Sequence, residues 1–280
     1  MTEKIRITVL VENTVNQRGL KAEHGLACLI EIGGARVLFD TGQTALLLDN
    51  AKALGCSLES LDAIVLSHGH YDHTGGLAAV CNLSPTAQVF LHPAALEAKF
   101  SANADGSALF VGMPQASKQA VANAGPKLIL TPTCREVAAN LFVTGEIPHQ
   151  TDFEDVGGRF FLDERCQQPD PLADDQALFF QTPEGVVVLL GCAHAGVVNT
   201  LIHIKRLTVG KRIHAVLGGM HLGSASPDRM EKTIAHLRQE SPNCLRPAHC
   251  TGISATARLW TEFPGRCSNA PVGTTLSFPR

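Results

Sequence analysis

Short blocks of apolar residues alternate with polar turns along the first third of the chain. Residues 5–11, 26–32 and 36–39 are rich in β-branched and aliphatic side chains, which predicts three strands of an antiparallel meander. Aliphatic residues at helical spacing occupy 44–54, and the Gly55 that follows is typical of a helix C-terminus. The pattern therefore predicts a meander that leads into a helix.

The rest of the chain, apart from its middle, alternates strands with helices. In order, the pattern predicts a strand at 63–66, a helix from 73 to 80, a strand at 89–91, a hairpin at 177–190, helices at 197–207, 227–239 and 253–263, and strands at 213–217 and 245–247. Residues 186–190 are apolar throughout, as expected of a strand covered on both faces. We therefore predict an α/β fold with one domain over residues 1–280, in which two packed sheets are flanked by helices.

The middle of the chain, around residues 93–171, has a weaker pattern. It is rich in Ala, Gly and Pro, and the stretch SANADGSALFVGMPQ predicts an irregular loop rather than a packed element. A connection this long usually has a function, so we predict a lid or a pocket wall. A disordered insert is the alternative.

Composition and charge narrow the classes of function. Hydrophobic residues make up 45% of the 280 and charged residues 18%, which is typical of a globule with a large core. The net charge is −3, and no basic stripe is present, so we expect neither nucleic acid nor an anionic membrane as a partner. The first residues lack a signal-type apolar core, and no apolar run reaches the length of a membrane span. We expect a cytoplasmic protein with a small-molecule substrate, and we leave a homodimer open.

The clearest chemical signal is the stretch LSHGHYDHTGGL, which follows the predicted strand at 63–66. It places His68, His70, Asp72 and His73 within six residues. In open α/β sheets, ligand sites lie just beyond the carboxyl ends of strands. The alternative, an ordinary polar loop, does not account for so many ligand-type side chains in so short a stretch.

Three further histidines follow short apolar strands in the second half of the chain. They are His194 in GCAHAG, His221 in GGMHLG and His249 in PAHCTG. Histidines delivered repeatedly to strand ends are expected at one rim of the sheet. The nine cysteines show no C-x-x-C spacing and predict mostly reduced core residues, but Cys192 and Cys250 lie close to these histidines.

Imidazole and carboxylate ligands indicate a transition metal rather than a cation that prefers oxygen ligands alone. The four residues of the loop are too closely packed for all of them to reach one tetrahedral ion, whereas two neighbouring ions can share them. We therefore predict two divalent metal ions. Zn²⁺ is the first choice, and Mn²⁺ and Fe²⁺ are the alternatives.

The intact H-x-H-x-D-H pattern resembles the signature of the metallo-β-lactamase superfamily, and the FDTG at residues 39–42 resembles its preceding strand motif. The combination of LVENT, EHGLACLIE, LFDTGQ, GHYDHTGGL, GCAHAGVVNTL, LGGMHL and PAHCTG resembles one branch of it. That branch includes 7,8-dihydropterin-6-methyl-4-(β-D-ribofuranosyl)-aminobenzene-5'-phosphate synthases of methanopterin biosynthesis, and metal-dependent hydrolases. The resemblance implies an αββα sandwich of two mixed sheets with the metals at its edge.

The resemblance also implies a ligand set. One ion would be held by His68, His70 and His194. The other would be held by Asp72, His73 and His249. Asp40 in FDTG resembles the buried aspartate that supports the metal loop in this superfamily, with a simple turn residue as the alternative.

The sequence departs from the superfamily at one position. Many of its hydrolases end the strand that corresponds to 215–219 with an aspartate that bridges the two metals, but here the sequence reads LGGMHL. His221 is the only candidate, and it would bind an ion, touch the substrate or do neither. A site without the second carboxylate is more positive, which favours an anionic substrate such as a phosphate or a carboxylate.

Two further features predict contacts with the substrate. Thr251 would be the N-cap of the helix predicted at 253–263, so that free N–H groups at Thr251 and Gly252 face the metal rim and bind an anion. An ordinary helix cap without a ligand is the alternative. Tyr71 would protonate a leaving group or serve only as an exposed spacer.

These observations predict a metal-dependent hydrolase that uses a metal-bound hydroxide. Asp72 would orient the hydroxide, and His221 is a second candidate for a catalytic role. A Ser-His-Asp hydrolase is not supported, because no G-x-S-x-G elbow occurs. The alternatives are a synthase that joins a dihydropterin to a ribofuranosylaminobenzene 5'-phosphate, and a non-catalytic metal-dependent binding protein.

Overall fold

The structure is a computed structural model, which describes residues 4–280. The strands, in chain order, are β1 (Lys4–Val11), β2 (Ala27–Ile32), β3 (Ala35–Phe39), β4 (Ala63–Val65), β5 (Gln88–Leu91), β6 (Phe100–Ala102), β7 (Ala108–Phe110), β8 (Leu128–Leu130), β9 (Thr133–Ala138), β10 (Leu141–Gly145), β11 (Phe160–Phe161), β12 (Leu178–Thr182), β13 (Gly185–Leu190), β14 (Ile213–Gly219), β15 (Cys244–Ala248) and β16 (Thr275–Pro279). The α-helices are α1 (Leu46–Ala53), α2 (Tyr71–Thr74), α3 (Leu77–Leu83), α4 (Gln115–Ala124), α5 (Val197–Leu207), α6 (Pro227–Glu240) and α7 (Ile253–Glu262).

Two mixed sheets form the centre of the fold. The first has the order β16-β1-β2-β3-β4-β5-β8, and the second has the order β15-β14-β13-β12-β10-β9. In the first sheet β1, β2 and β3 pair antiparallel, whereas β3, β4, β5 and β8 pair parallel. In the second sheet β13, β14 and β15 are parallel neighbours, so their carboxyl ends lie at the same edge.

The two sheets pack face to face, and helices cover their outer faces. The side chains of β2 point alternately to the two faces of the first sheet. Cys28 and Ile30 belong to the core between the sheets, whereas Leu29 packs on the other face with Leu47 of α1. The fully buried Ile30 contributes about 1.5–3 kcal/mol by leaving water. Along β13 the inner face packs against the first sheet and the outer face against helices, as the apolar run predicts. The predicted αββα sandwich of two mixed sheets is confirmed.

The prediction of an irregular loop at SANADGSALFVGMPQ was wrong. This stretch contains β6 and β7, which pair with each other and join β11 in a three-stranded sheet. The rest of the middle segment supplies α4, places β8 at the edge of the first sheet, and adds β9 and β10 to the second. The strands β6, β7 and β11 have three residues or fewer, which is too short for alternation to be recognised in the sequence.

Two smaller differences concern the ends of elements. The predicted helix at 73–80 is two helices, α2 and α3, separated by Gly75 and Gly76. The last strand, β16, pairs antiparallel with β1 at the edge of the first sheet, and the sequence pattern did not predict it. Among the residues from 4 onwards, no helix is long and apolar enough to cross a membrane.

Candidate metal centre

The predicted ligands lie at the carboxyl ends of strands from both sheets. The loop after β4 carries His68 and His70, and α2 begins inside the same loop. His194 follows β13, His221 follows β14 and His249 follows β15. Because β13, β14 and β15 are parallel neighbours, their ends deliver these three side chains to one rim, opposite the loop of the first sheet.

The first predicted group consists of three buried histidines. The Nε2 atom of His68 lies 3.0 Å from Nδ1 of His70. The ring centroid of His194 lies 4.8 Å from that of His68 and 4.9 Å from that of His70. The structure thus brings the three rings together, with two of the nitrogens at the separation expected for ligands of one ion.

The second predicted group is equally compact. Nε2 of His73 lies 3.2 Å from Nε2 of His249. Oδ2 of Asp72 lies 3.3 Å from Nε2 of His249 and 3.8 Å from Nε2 of His73. Tetrahedral zinc with bonds of about 2.0–2.1 Å holds its ligand atoms about 3.3 Å apart. These three residues therefore fit a metal ion. That they bind one stays a prediction.

Asp40 orients the loop from behind. Its Oδ2 accepts hydrogen bonds from Nδ1 of His73 and from Oγ of Ser67, both at 2.7 Å, and its Oδ1 accepts the Ser67 N–H at 2.7 Å. The Ser67 hydroxyl in turn lies 2.9 Å from Nδ1 of His68. Because Nδ1 of each ring is engaged in this way, Nε2 is the nitrogen that faces the site. This is the supporting role expected of Asp40 from the resemblance.

The protonation of the rings differs within the loop. Burial lowers the pKa of His70 to about 3 and holds those of His68 and His194 well below their usual value. Burial acts in the same direction on His73, but the carboxylates of Asp40 and Asp72 outweigh it and raise its pKa to about 9. The rings of His68, His70 and His194 are therefore neutral at pH 7, whereas a metal ion at His73 would have to displace a proton.

The middle segment is bonded to predicted site residues on both sides of the centre. Nδ1 of His194 donates to the carbonyl of Val156 at 2.8 Å, which leaves Nε2 free to face the site. Lys99 is fully buried and donates to Asp174 at 2.9 Å, and the other oxygen of Asp174 accepts the Gly69 N–H at 2.7 Å. The segment from 93 to 171 is therefore fastened to both sides of the centre.

Residues before β2 hold His249. Its backbone N–H donates to Oε1 of Glu12 at 2.7 Å, and its Nδ1 lies 2.8 Å from Oδ1 of Asn13. These bonds fix the ring and direct Nε2 towards His73. Sequence reasoning did not assign a role to either residue, because the contact spans more than two hundred positions of the chain.

Unpartnered nitrogens support the fit to metal. Within the part of the chain that the structure describes, Nε2 of His194, Nε2 of His70 and Nδ1 of His221 are buried without a hydrogen-bond partner. A buried polar atom left unpaired costs about 1–3 kcal/mol, so such atoms need an explanation. A ligand at the rim explains the free Nε2 of His194, whose other nitrogen is already satisfied.

Comparison with known proteins agrees with this geometry. The family model of the metallo-beta-lactamase superfamily matches residues 21–200. The chain belongs to this superfamily. Its members bind divalent metals and are mostly hydrolases, and the match includes the whole H-x-H-x-D-H motif.

Three proteins are similar to this chain over nearly its whole length. The chain is 28% identical to a 7,8-dihydropterin-6-methyl-4-(beta-D-ribofuranosyl)-aminobenzene-5'-phosphate synthase of Methanocaldococcus jannaschii, over 99% of this chain and 97% of that protein. It is 31% identical to the uncharacterized protein MJ0448 of the same organism, over 90% and 93% of the two chains. The solved structure of Tm1679, a metal-dependent hydrolase of the beta-lactamase superfamily, superposes with a TM-score of 0.84 at 32% identity and covers 99% of this chain and 100% of that one. The predicted membership is confirmed.

His221 lies at the second-sheet side of this metallo-β-lactamase centre. Its ring centroid is 4.3 Å from that of His194, and its Nε2 is 3.2 Å from the carbonyl oxygen of Gly157. It forms a group with Cys192 and Cys250 in which the ligand atoms lie within 4.8 Å of one another. Its role as a metal ligand or catalytic residue stays a prediction.

Three residues at the centre were not predicted as ligands. The thiol of Cys192 lies 3.2 Å from Nε2 of His73, and Cys250 lies beside it. Nε2 of His24 lies 3.1 Å from Oδ2 of Asp72, and its ring centroid is 4.8 Å from that of His249. The position of Cys192 two residues before His194 was a signal for it, whereas His24 lies in a loop without any ligand pattern.

The prediction that Thr251 is the N-cap of α7 was wrong, whereas an anion contact at Thr251 and Gly252 stays a prediction. Gly252, not Thr251, is the N-cap of α7, and no side chain caps this helix. The hydroxyl of the buried Thr251 instead accepts the Met220 N–H at 3.0 Å, and the Gly252 N–H is directed at the His249 carbonyl at 3.4 Å. The cause is a short 3-10 turn, His249–Thr251, which the sequence pattern did not show. Tyr71 is half-buried at the start of α2, with its ring 6.5 Å from that of His24.

Proposed function

We propose that this protein is a metal-dependent hydrolase that acts on a small anionic substrate. The observation that carries the proposal is the pair of compact groups of ligand-type side chains at one rim, one around His68 and one around His249, with Nε2 of His70 and of His194 buried and unpartnered within residues 4–280. Two divalent ions bound there would acidify a water nucleophile and stabilise the oxyanion that develops during hydrolysis. The side chains of the protein hold and orient the groups that would bind the ions.

Asp72 is the acidic residue in this arrangement. Its carboxylate touches the rings of both His73 and His249, and it also accepts a contact from His24 at the exposed side. The other predicted ligands are histidines, which carry no negative charge, so little negative charge would oppose the ions. An anionic group of the substrate, such as a phosphate or a carboxylate, is attracted to such a centre.

A cavity beside the second group supports a small substrate. It has a volume of about 310 Å³ and is lined by Asn13, His249 and Trp260, among others. On the other side, the ring centroid of Phe160 in β11 lies 5.0 Å from that of His70 and 5.2 Å from that of His194. We propose that the middle segment forms a wall of the substrate site through Phe160.

Metal content and hydrolysis, measured together, test the proposal. Protein purified without chelators is analysed by plasma mass spectrometry and assayed with phosphodiester, lactone and thioester substrates. We expect two zinc, manganese or iron ions per chain and turnover of at least one of these classes. Metal-loaded protein without turnover of any ester would contradict the proposal.

Two variants connect the site to the activity. His68→Ala and His249→Ala each remove one ligand from a different group, so each should lose an ion and about a thousandfold or more in kcat/KM, equivalent to several kcal/mol of transition-state stabilisation. His149→Ala, at an exposed position, is the matched control. A variant that keeps two tightly bound ions excludes its residue as a ligand.

One observation favours a second function. The relative that is 28% identical over 99% of the chain is a synthase. A synthase would bind a phosphorylated ribosyl-aminobenzene and a pterin, and product formation from those two compounds would replace hydrolysis as the activity. Tight binding of the phosphorylated compound without any turnover would indicate the third alternative, a binding protein. The cytoplasmic location and the homodimer stay predictions.

A further inference from the structure

We propose that the thiolate of Cys192 is a metal ligand placed between the two groups of the centre, where other members of the superfamily use a carboxylate. The inference rests on the proposed metal centre but not on the identity of the substrate. It assigns a residue that neither the H-x-H-x-D-H motif nor the ligand set implied by the resemblance contains.

The position of the sulfur carries the inference. Sγ of Cys192 lies 3.2 Å from Nε2 of His73. It forms one group with His68 and His194 and a second group with His73 and His249, and in each the ligand atoms lie within 4.8 Å of one another. One sulfur atom is therefore within reach of both predicted ions. Its side chain is 3% exposed, so the thiol is directed into the centre and not into solvent.

The unpartnered nitrogen of His194 is an independent sign of a ligand at the same place. His194 is 1% exposed, its Nδ1 is bonded to Val156, and its Nε2 has no partner among residues 4–280. Imidazole and thiolate are both ordinary ligands of zinc. An ion shared by His68, His194 and Cys192 would satisfy the free nitrogen and the buried thiol together.

The end of β14 shows why Gly219 cannot supply a carboxylate. An added Cβ at Gly219 would lie 2.4 Å from the carbonyl oxygen of Gly191 and 2.6 Å from Sγ of Cys250. The first contact is with rigid backbone, so a side chain cannot enter here without displacing β13. Cys250 fills the space, and its thiol lies 3.5 Å from the carbonyl oxygen of Cys192. We therefore assign Cys250 as a positioning residue that keeps the Cys192 segment in place.

A bound thiolate would lower the positive charge of the site. When Cys192 binds, its S–H bond breaks, the sulfur keeps the electron pair and forms the bond to the ion, and the proton goes to solvent. The thiolate then supplies the negative charge that the missing aspartate does not. The centre stays positive overall and still attracts an anionic substrate.

Cobalt absorption tests the assignment directly. The metal-free protein, reduced and with its free thiols counted, is titrated with Co²⁺, and a sulfur-to-cobalt charge-transfer band in the near ultraviolet reports a thiolate ligand. We expect the band in the wild type and its loss in Cys192→Ser. The variant should also bind one of the two ions about a hundredfold more weakly. This loss is at or beyond the upper end of the loss of metal affinity that follows when a ligand loses a supporting hydrogen bond. Cys250→Ser should keep the band, as should the matched control Cys134→Ser on β9 at the far edge of the sheet.

A second measurement does not depend on a variant that folds. X-ray absorption of the zinc-loaded wild type should show a sulfur neighbour at about 2.3 Å. Two bound ions without a sulfur neighbour, or a band that survives in Cys192→Ser, would overturn the assignment, as would a band lost only in Cys250→Ser. A disulfide between the two cysteines that persists in the metal-loaded protein would overturn it as well.

The outcome is separable from that of the proposed function. If a sulfur ligand is found but the protein hydrolyses none of the substrates, the assignment of Cys192 holds and the proposed hydrolase function is contradicted. If the protein binds two metals and hydrolyses a substrate but has no sulfur ligand, the hydrolase function holds and the assignment of Cys192 is contradicted.

Discussion

The two sides of the metal rim are built in opposite ways. The first-sheet side takes His68, His70, Asp72 and His73 from one loop, and hydrogen bonds through Asp40 and Ser67 hold that loop from behind. The second-sheet side takes one histidine from the end of each of three strands, and groups distant in sequence hold them. The first side is therefore a local structure, whereas the second depends on the whole fold.

The difference predicts how each side fails. A change behind the loop should disturb predicted ligands of both ions at once, because Asp40 bonds directly to His73 and reaches His68 through Ser67. A change near Val156 in the middle segment should disturb His194 and leave the loop of the first side intact. The predictions below test this contrast.

The largest effect is expected from Asp40→Asn. The substitution keeps the shape of the side chain but removes the negative charge that accepts the His73 and Ser67 hydrogen bonds in a fully buried place. We expect the affinity for both ions to fall by about 10–100-fold, and the free energy of unfolding of the metal-free protein to fall by about 3 kcal/mol. Metal titration and urea unfolding measure the two quantities.

Asp62→Asn is the control for Asp40→Asn. Asp62 also accepts a backbone N–H, but it lies at the exposed start of β4. It should leave metal affinity unchanged. A loss of affinity for only one ion in Asp40→Asn would show that the loop does not act as a unit.

The next effect concerns pH and separates two histidines of the same loop. The pKa of His73 is raised to about 9, so its contribution to the stability of the metal-free protein is complete below about 6.5 and is lost as the pH rises to 9. The pKa of His70 is lowered to about 3, so its ring is buried neutral and stability is lost as the pH falls from about 6.5 towards 3. Urea unfolding of the metal-free protein should show a maximum near pH 6.5.

Glutamine substitutions assign the two limbs of this profile. His73→Gln should flatten the fall in stability above pH 6.5 and leave the fall at acid pH. His70→Gln should make the fall at acid pH shallower without removing it, because the pKa values of His68 and His194 are lowered as well. If either variant changes both limbs equally, the two rings titrate as a coupled pair and not separately.

These differences also explain what the sequence could predict. The proximity of His68, His70, Asp72 and His73 could be predicted because their spacing is local, and their role as ligands stays a prediction. His194, His221 and His249 were predicted to share a rim because each follows an apolar strand, and the parallel order of β13, β14 and β15 confirms that arrangement.

Other features could not be predicted from the pattern. The contacts of His24, Glu12 and Cys192 depend on how distant loops meet at the rim, which periodicity does not encode. The turn at 249–251 changes the role of Thr251 through a backbone conformation, with a positive φ of 49° at His249 that nothing in PAHCTG marks. The strands of the middle segment were missed because they are too short to show a period.

A smaller effect is expected at the second-sheet side from Glu154→Gln. The buried carboxylate of Glu154 accepts the N–H groups of Val198 and Asn199, at 2.9 and 2.8 Å, at the start of α5. An amide offers one acceptor instead of two, so we expect the free energy of unfolding to fall by about 1 kcal/mol. Because Val156, two residues on, holds His194, one ion should bind less than about tenfold more weakly, and the other should be unchanged.

The metal affinities of Glu154→Gln and Asp40→Asn, compared with each other, distinguish the two sides of the rim. Stepwise metal titration of both variants shows whether one ion or two are affected. Equal weakening of both ions in Glu154→Gln would remove the distinction between a local first side and a second side supported by the fold.

The smallest effect is expected from Tyr71→Phe. Tyr71 belongs to the loop of the first side, but its hydroxyl makes no hydrogen bond within residues 4–280, and its half-buried ring lies 6.5 Å from the His24 ring at the exposed rim. A side chain that neither supports a ligand nor touches one should change metal affinity and kcat by less than about twofold, because only surface packing is altered. Steady-state kinetics with the best ester substrate measure this. If kcat instead falls tenfold or more with KM and both metal affinities unchanged, the hydroxyl protonates the leaving group, and the local side of the rim supplies an acid as well as ligands.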